Sequence, residues 1–223
     1  MSTITDWLDE VPGPHRGQVI HTAGAPLDEA TGAVIMIHGR GATAPSILEL
    51  ASFLGEPGIA YLAPQAAGST WYPYPFTQPR EVNEPGLSSA HAVVTTMIER
   101  LSDEVFEPES IVLLGFSQGA CLATDVAALN PRPYGGVIGF SGGLIGDQLD
   151  PSSYSGSLAE TPVFLGCSDI DPHIPVERVH ETAEILSDLD ADVTVAIYPG
   201  MGHTISPDEI EHARKIIRPI GSG

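Results

Sequence analysis

The chain is poor in positive charge. Its 223 residues carry 9 Lys+Arg against 29 Asp+Glu, a formal net charge of −20, and Lys215 stands alone beside eight arginines. Nucleic acid is excluded as a partner, because binding it requires clustered cations that displace counterions from phosphates. An anionic membrane surface is excluded for the same reason. Cysteine is scarce too: Cys121 and Cys167 cannot form a disulfide framework, which points to a reducing compartment. No apolar run approaches the roughly 18 residues that span a bilayer. Residues 1–10 have neither a basic n-region nor an apolar h-region, so a cytoplasmic protein is expected.

What is present is a globular composition. Hydrophobic residues make up 42% of the chain, enough for a sizeable core and against intrinsic disorder. The length favours one domain over 1–223. The acid surplus has two readings, a solvated surface or adaptation to high salt. At about 1 M salt the Debye length shrinks to roughly 3 Å and repulsion between surface carboxylates is screened. With lysine almost absent, the salt-adapted (halophilic) reading is preferred. Gly221-Ser222-Gly223 is set aside from fold reasoning as a candidate tag remnant.

Short apolar runs at 33–38, 59–62, 111–116, 136–140, 162–166 and 193–198 read as strands, with a weaker edge candidate at 17–23. The unbroken apolarity of Ile111, Val112, Leu113 and Leu114 suits a strand buried on both faces. Between the runs lie helix-period segments. One carries Ile47, Leu50, Ala51 and Leu54; another carries Val94, Met97, Ile98, Leu101 and Val105. Leu122, Val126 and Leu129 mark a third, stopped before Pro131. A fourth pairs an apolar face (Val176, Val179, Ala183, Leu186) with an outer face of Glu177, Glu181, Glu184 and Asp188. Ser206, Pro207 and Glu209 open the last one as a capping box. This alternation implies an α/β fold, a mostly parallel central sheet with helices on both faces. The irregular stretch 64–86, rich in proline and aromatic residues, is long enough to suggest a functional loop.

Two segments match G-x-S-x-G. Gly115-Phe116-Ser117-Gln118-Gly119 follows the most strand-like run and opens a helix, the strand–turn–helix context of a nucleophile elbow. Gly139-Phe140-Ser141-Gly142-Gly143 follows a strand but leads into no helical period, and reads as a packing turn. A serine hydroxyl needs a base and an orienting carboxylate. In this architecture they follow in the order acid, then histidine, after later strands. His203, in Gly200-Met201-Gly202-His203, occupies a loop between the last strand and the last helix. His91, His180 and His212 fall inside helices, while His15 and His21 precede the serine. For the acid, Asp169 and Asp171 stand level by position, and His173 in the same loop is a minor rival base. The Asp171–His173 spacing invites a metal reading, but no thiolate pair or second histidine lies at ligand spacing, so no metal is expected. The amides of Gln118 and of Arg40, in the turn after an earlier strand, are the candidate donors to an oxyanion.

Together, His38-Gly39-Arg40-Gly41-Ala42, the 63–76 segment APQAAGSTWYPYPF, GFSQGA at 115–120, FSGG at 140–143, DPHIP at 171–175 and PGMGH at 199–203 resemble the phospholipase/carboxylesterase family of α/β hydrolases, which includes the acyl-protein thioesterases. The resemblance implies an α/β-hydrolase fold without a separate cap domain, a Ser117–His203–Asp171 triad, and no cofactor. It selects Asp171 because the family's aspartate opens a D-P-x-V/I-P segment, and it leaves Asp169 as a loop-shaping neighbour. It also makes a homodimer compatible with the chain. Acyl-protein thioesterases usually read HGLGD where this chain reads HGRGA, a form closer to bacterial and archaeal small esterases.

The implied activity is hydrolysis of a small-molecule ester through an acyl-enzyme, with thioesters or lysophospholipids as alternatives. A non-catalytic ligand-binding scaffold and a dienelactone-type hydrolase are the remaining readings; the latter typically uses a cysteine where this chain has Ser117. Trp71, Tyr72, Tyr74 and Phe76 are candidate substrate-pocket walls, or anchors of their loop. Cys121 and Cys167 are expected to be packed and buried.

Overall fold

An apolar strand without a polar side must be covered above and below, and seven strands here are arranged to allow it. The computed structural model describes residues 4–221. Its strands are β1 (Ile20–Gly24), β2 (Gly32–Ile37), β3 (Ile59–Pro64), β4 (Ile111–Phe116), β5 (Gly136–Phe140), β6 (Pro162–Ser168) and β7 (Asp192–Tyr198). They form one sheet in the order β1-β3-β2-β4-β5-β6-β7. β1 runs antiparallel to β3 at one edge, and the other pairs are parallel. The weak edge candidate is therefore a strand, displaced by three residues at its start.

Alternating side chains serve two cores. Ala33, Ile35 and Ile37 of β2 join Ile111 and Leu113 of β4 on one face, while Val34, Met36, Val112 and Leu114 point to the other. The helices are α1 (Ala44–Leu48), α2 (Leu50–Leu54), α3 (Gly86–Glu104), α4 (Gln118–Leu129), α5 (Val176–Asp188) and α6 (Pro207–Gly221). Residues of α3, α4 and α5 fill the first core; Ala44, Ile47, Leu54, Ala213 and Ile217 of α1, α2 and α6 fill the second. Helices on both faces of a mostly parallel sheet are thus borne out.

Three details differ from expectation. The segment around Ile47–Leu54 is two short helices: Thr43 caps the first, and the chain restarts at Glu49. Val105 does not share the face of α3, which ends at Glu104; it is exposed, and Phe106 takes the buried place. Gly221 is the last residue of α6, where a Cβ would lie 3.3 Å from Ile59 Cγ1; Ser222 and Gly223 lie outside the described residues. The capping box forms as read, with Glu209 Oε2 accepting from Ser206 N at 2.6 Å and Ser206 Oγ accepting from Glu209 N at 3.2 Å.

Candidate active site

The turns that carry the candidate residues follow the carboxyl ends of β2, β4, β6 and β7, the end of a parallel sheet where ligands bind. Ser117 caps β4 with φ 56° and ψ −120°, a backbone region that costs a non-glycine residue about 1–3 kcal/mol. Close packing holds it there. A Cβ at Gly119 would lie 2.0 Å from the Ile37 carbonyl oxygen, and one at Gly115 would lie 2.2 Å from that of Gly119. Both positions must be glycine for strand, turn and helix to meet.

Three residues from separate loops converge. Ser117 Oγ lies 2.9 Å from His203 Nε2, and His203 Nδ1 lies 2.7 Å from Asp171 Oδ2. With Nδ1 protonated toward the carboxylate, Nε2 is free to accept from the serine hydroxyl. Asp171 Oδ1 accepts from the His173 and Ile174 amides at 2.9 and 3.1 Å. Burial pushes this carboxyl up, but the His203 bond and those amides outweigh it, and its pKa lies below the ordinary value. The imidazole is flanked by the rings of Phe116 and His173, each 4.9 Å away between centroids.

The His203 loop is tethered by residues outside this trio. Asp169 Oδ1 accepts from Gly200 N at 2.7 Å, and Ser168 Oγ accepts from Gly202 N at 3.1 Å. Asp169 is thus bonded to the His203 loop, while Asp171 is the carboxylate bonded to the imidazole. Gly200 and Gly202 both have positive φ, 69° and 79°, which lets the loop bend twice within four residues. His173 meets the His203 ring edge to face. His180 is exposed on α5, and His212 stacks on Phe164.

The turn after β2 lies against the serine: a Cβ at Gly39 would be 3.4 Å from Ser117 Cβ. Gln118 opens α4, where the first amides lack helical acceptors. The Gln118 side chain has a second task. Its Oε1 accepts from Trp71 N at 2.9 Å and its Nε2 donates to Tyr72 O at 2.8 Å, fastening the 64–86 loop to the elbow. Arg40 does the same from the turn after β2, donating to the carbonyls of Pro73 and Tyr74 at 2.8 Å each. Two buried histidines complete the fastening: His15 accepts from Ala67 N, and His38 accepts from Ala66 N, both at 3.1 Å. Further along, Arg80 reaches the buried Asp125 on α4 at 2.9 Å, and His91 meets the same carboxylate at 2.8 Å. Of these clamps, His15, Arg80, His91 and Asp125 lie outside every motif; a signal that could have marked them is the combination of loop length with buried polar residues.

A cavity of about 450 Å³ opens beside Ser117 and His203. Tyr72 and Phe76 line it, joined by Phe116, Cys121 and Ile174. Trp71 and Tyr74 do not line it, which corrects half of the expected wall. Trp71 is enclosed, its Nε1 donating to His38 O at 2.9 Å, so it anchors the loop. Tyr74 is 54% exposed, because its backbone is pinned by Arg40 and Asn83 and its ring turns outward. Burial pushes the Cys121 thiol up to about 12 and Cys167 to about 11. Both stay protonated at neutral pH and pack, as expected. Among the described residues, no group of three or more His, Cys, Asp or Glu could hold a metal ion, and no helix is long and apolar enough to cross a membrane.

Comparison with known proteins adds lineage. The phospholipase/carboxylesterase family model matches residues 20–220. Acyl-protein thioesterase 1 of Gibberella zeae is 31% identical over 144 residues, covering 62% of this chain and 60% of that protein. The chain thus spans about three fifths of the length of this curated relative. Among solved structures, a phospholipase/carboxylesterase from Dyadobacter fermentans is 44% identical with a TM-score of 0.87, covering 90% of this chain and 96% of that one. Esterase PE8 is 26% identical with a TM-score of 0.74, covering 90% and 97%.

Proposed function

The chain belongs to the phospholipase/carboxylesterase family of α/β hydrolases, and from that premise we propose a serine carboxylesterase that hydrolyses small or medium acyl esters through an acyl-enzyme. The observation that carries this reading is the unbroken relay Ser117–His203–Asp171, with contacts of 2.9 and 2.7 Å. His203 takes the serine proton as Oγ attacks the ester carbonyl. The amides of Arg40 and Gln118 hold the oxyanion. Asp171 fixes the tautomer and stabilises the imidazolium. His203 then protonates the departing alcohol, and in the second half it activates water against the acyl-enzyme. The apolar cavity beside the serine receives the acyl chain.

Similarity to acyl-protein thioesterase 1 supports a second reading, thioester hydrolysis by the same relay. A panel of p-nitrophenyl esters and acyl thioesters, with wild type and Ser117→Ala, tests both. Hydrolysis of either class that disappears with the hydroxyl supports the relay, and the class turned over faster decides between them. Turnover that survives Ser117→Ala would overturn the assignment.

The setting is proposed on separate grounds. Two buried, unpaired thiols fit a reducing cytoplasm. Glu177, Glu181, Glu184 and Asp188 are all exposed on α5, which fits a surface adapted to salt. Desalting is then expected to weaken folding and activity together; retention of both in dilute buffer would contradict it.

A further inference from the structure

Nine cations meet 29 carboxylates in this chain, so a cation without a carboxylate partner is one the sequence had ample opportunity to neutralise. Arg80, Arg100, Arg178, Arg214 and Arg218 each contact a carboxylate. Arg16 donates to the Asp9 carbonyl away from the cavity, whereas Arg40, at the cavity, donates to two backbone carbonyls, which carry no net charge. That arrangement fixes its guanidinium over the Tyr72 ring, 5.9 Å from the centroid. The residue is exposed and lines the cavity beside Ser117.

Among the described residues, no carboxylate answers it there. Neither Asp nor Glu is among the residues lining the cavity. Asp171 stands behind His203, engaged by the imidazole and two amides. Asp125 is closed off by Arg80 and His91. A guanidinium has five N–H donors, and those two carbonyls leave donors over for an anion. An immobilised guanidinium also loses little freedom when it binds a carboxylate.

Resting on the serine-esterase reading above, we infer that the site selects acyl esters whose acyl part ends in a carboxylate, the monoesters of dicarboxylic acids, with Arg40 receiving that carboxylate. The anion belongs on the acyl part because the guanidinium lies over Tyr72, part of the aromatic wall that takes the acyl chain.

Matched esters test this: mono-4-nitrophenyl adipate against 4-nitrophenyl hexanoate for the acyl side, and 3-carboxyphenyl hexanoate against phenyl hexanoate for the leaving side. Each is measured with wild type, Arg40→Gln and Arg40→Lys after subtraction of the uncatalysed rate. Wild type is expected to favour adipate over hexanoate by about tenfold in kcat/KM, the scale of one partly screened charge pair. Arg40→Gln should erase that ratio whatever it does to the absolute rates, Arg40→Lys should keep part of it, and high salt should shrink it. A wild-type ratio near one, an equal loss on both acyl esters in Arg40→Gln, or a preference confined to the leaving-side carboxylate would each overturn the inference. If none of the esters is turned over, the esterase reading itself falls and takes this inference with it.

Discussion

Ser117 and Ser141 end adjacent parallel strands, in the same five-residue pattern, with nearly the same positive φ of 56° and 53°. Each amide donates to the next strand over, Ser117 to Phe140 O at 2.9 Å and Ser141 to Gly166 O at 2.7 Å. Their hydroxyls nevertheless meet different surroundings. Ser117 opens α4 beside a cavity, with an imidazole 2.9 Å away. Ser141 is fully enclosed, its hydroxyl facing the Cys167 thiol without a well-formed hydrogen bond. Neither the motif nor the backbone strain distinguishes the proposed nucleophile from its twin. Access and the loops brought in from later strands do.

The sharpest way to break that comparison is substitution of both serines. On the proposed mechanism Ser117→Ala lowers kcat by about 10⁴-fold or more, whereas Ser141→Ala changes it less than about threefold. A large loss from both would show that the enclosed serine is coupled to the site.

A second contrast divides the two aspartates of one loop. Asp171→Asn is expected to cost about 10³–10⁴-fold in kcat, since it favours the wrong imidazole tautomer. Asp169→Asn loosens only the Gly200 tether and should cost about tenfold, a scale set by small misplacements. The Asp171 variant also has a stability signature. Its folded pKa lies below its unfolded value, near 3.9, so its contribution is present above that pH and is lost as pH falls through the folded value. The stability difference between wild type and Asp171→Asn should therefore narrow below about pH 4 in thermal melts.

The two motifs share their need for close packing, which gives a third test. A Cβ at Gly119 meets backbone at 2.0 Å, whereas one at Gly142 meets Ala120 Cβ at 2.5 Å and backbone only at 2.8 Å. Both Gly→Ala variants should lose stability, Gly119→Ala the more, by about 3 kcal/mol or more, because its backbone clash is the closer one. Denaturant titration that ranked Gly142→Ala as the costlier would contradict the packing account.

The smallest effect concerns Glu209, the buried cap below the His203 loop. Burial raises its pKa, against the pull of the Ser206 contacts. A carboxyl raised in the fold favours folding at acid pH and weakens it as pH rises through the unfolded value of about 4.3 and on to the folded one. Glu209→Gln keeps an acceptor for Ser206 N, so its melting temperature relative to wild type should climb from about pH 4 toward neutrality. No trend would mean that the carboxyl is compensated in the fold.

Much of this architecture was legible because it obeys periods and caps. The strand at 111–116 and the helix opened by Ser206-Pro207 announce themselves through unbroken apolarity and a capping box. The serine and His203 follow from their place after strands. Asp169 and Asp171 could not be separated by position, since both sit two residues apart in one loop; the family resemblance chose, and the hydrogen bonds give each a different partner. The aromatic loop was least legible. Trp71 and Tyr74 carry no period, and which ring faces the cavity is set by Gln118, Arg40 and Asn83, residues distant in sequence. Val105 failed for a related reason: the helical pattern continues past the point where the chain turns at Glu104.

The central claim is that Ser117, and not its twin, is the nucleophile. Fluorophosphonate labelling of wild type, Ser117→Ala and Ser141→Ala, with the modified peptide mapped by mass spectrometry, tests it most directly. The account predicts a single adduct on Ser117, retained in Ser141→Ala and absent from Ser117→Ala. An adduct on Ser141, or labelling that survives Ser117→Ala, would contradict it.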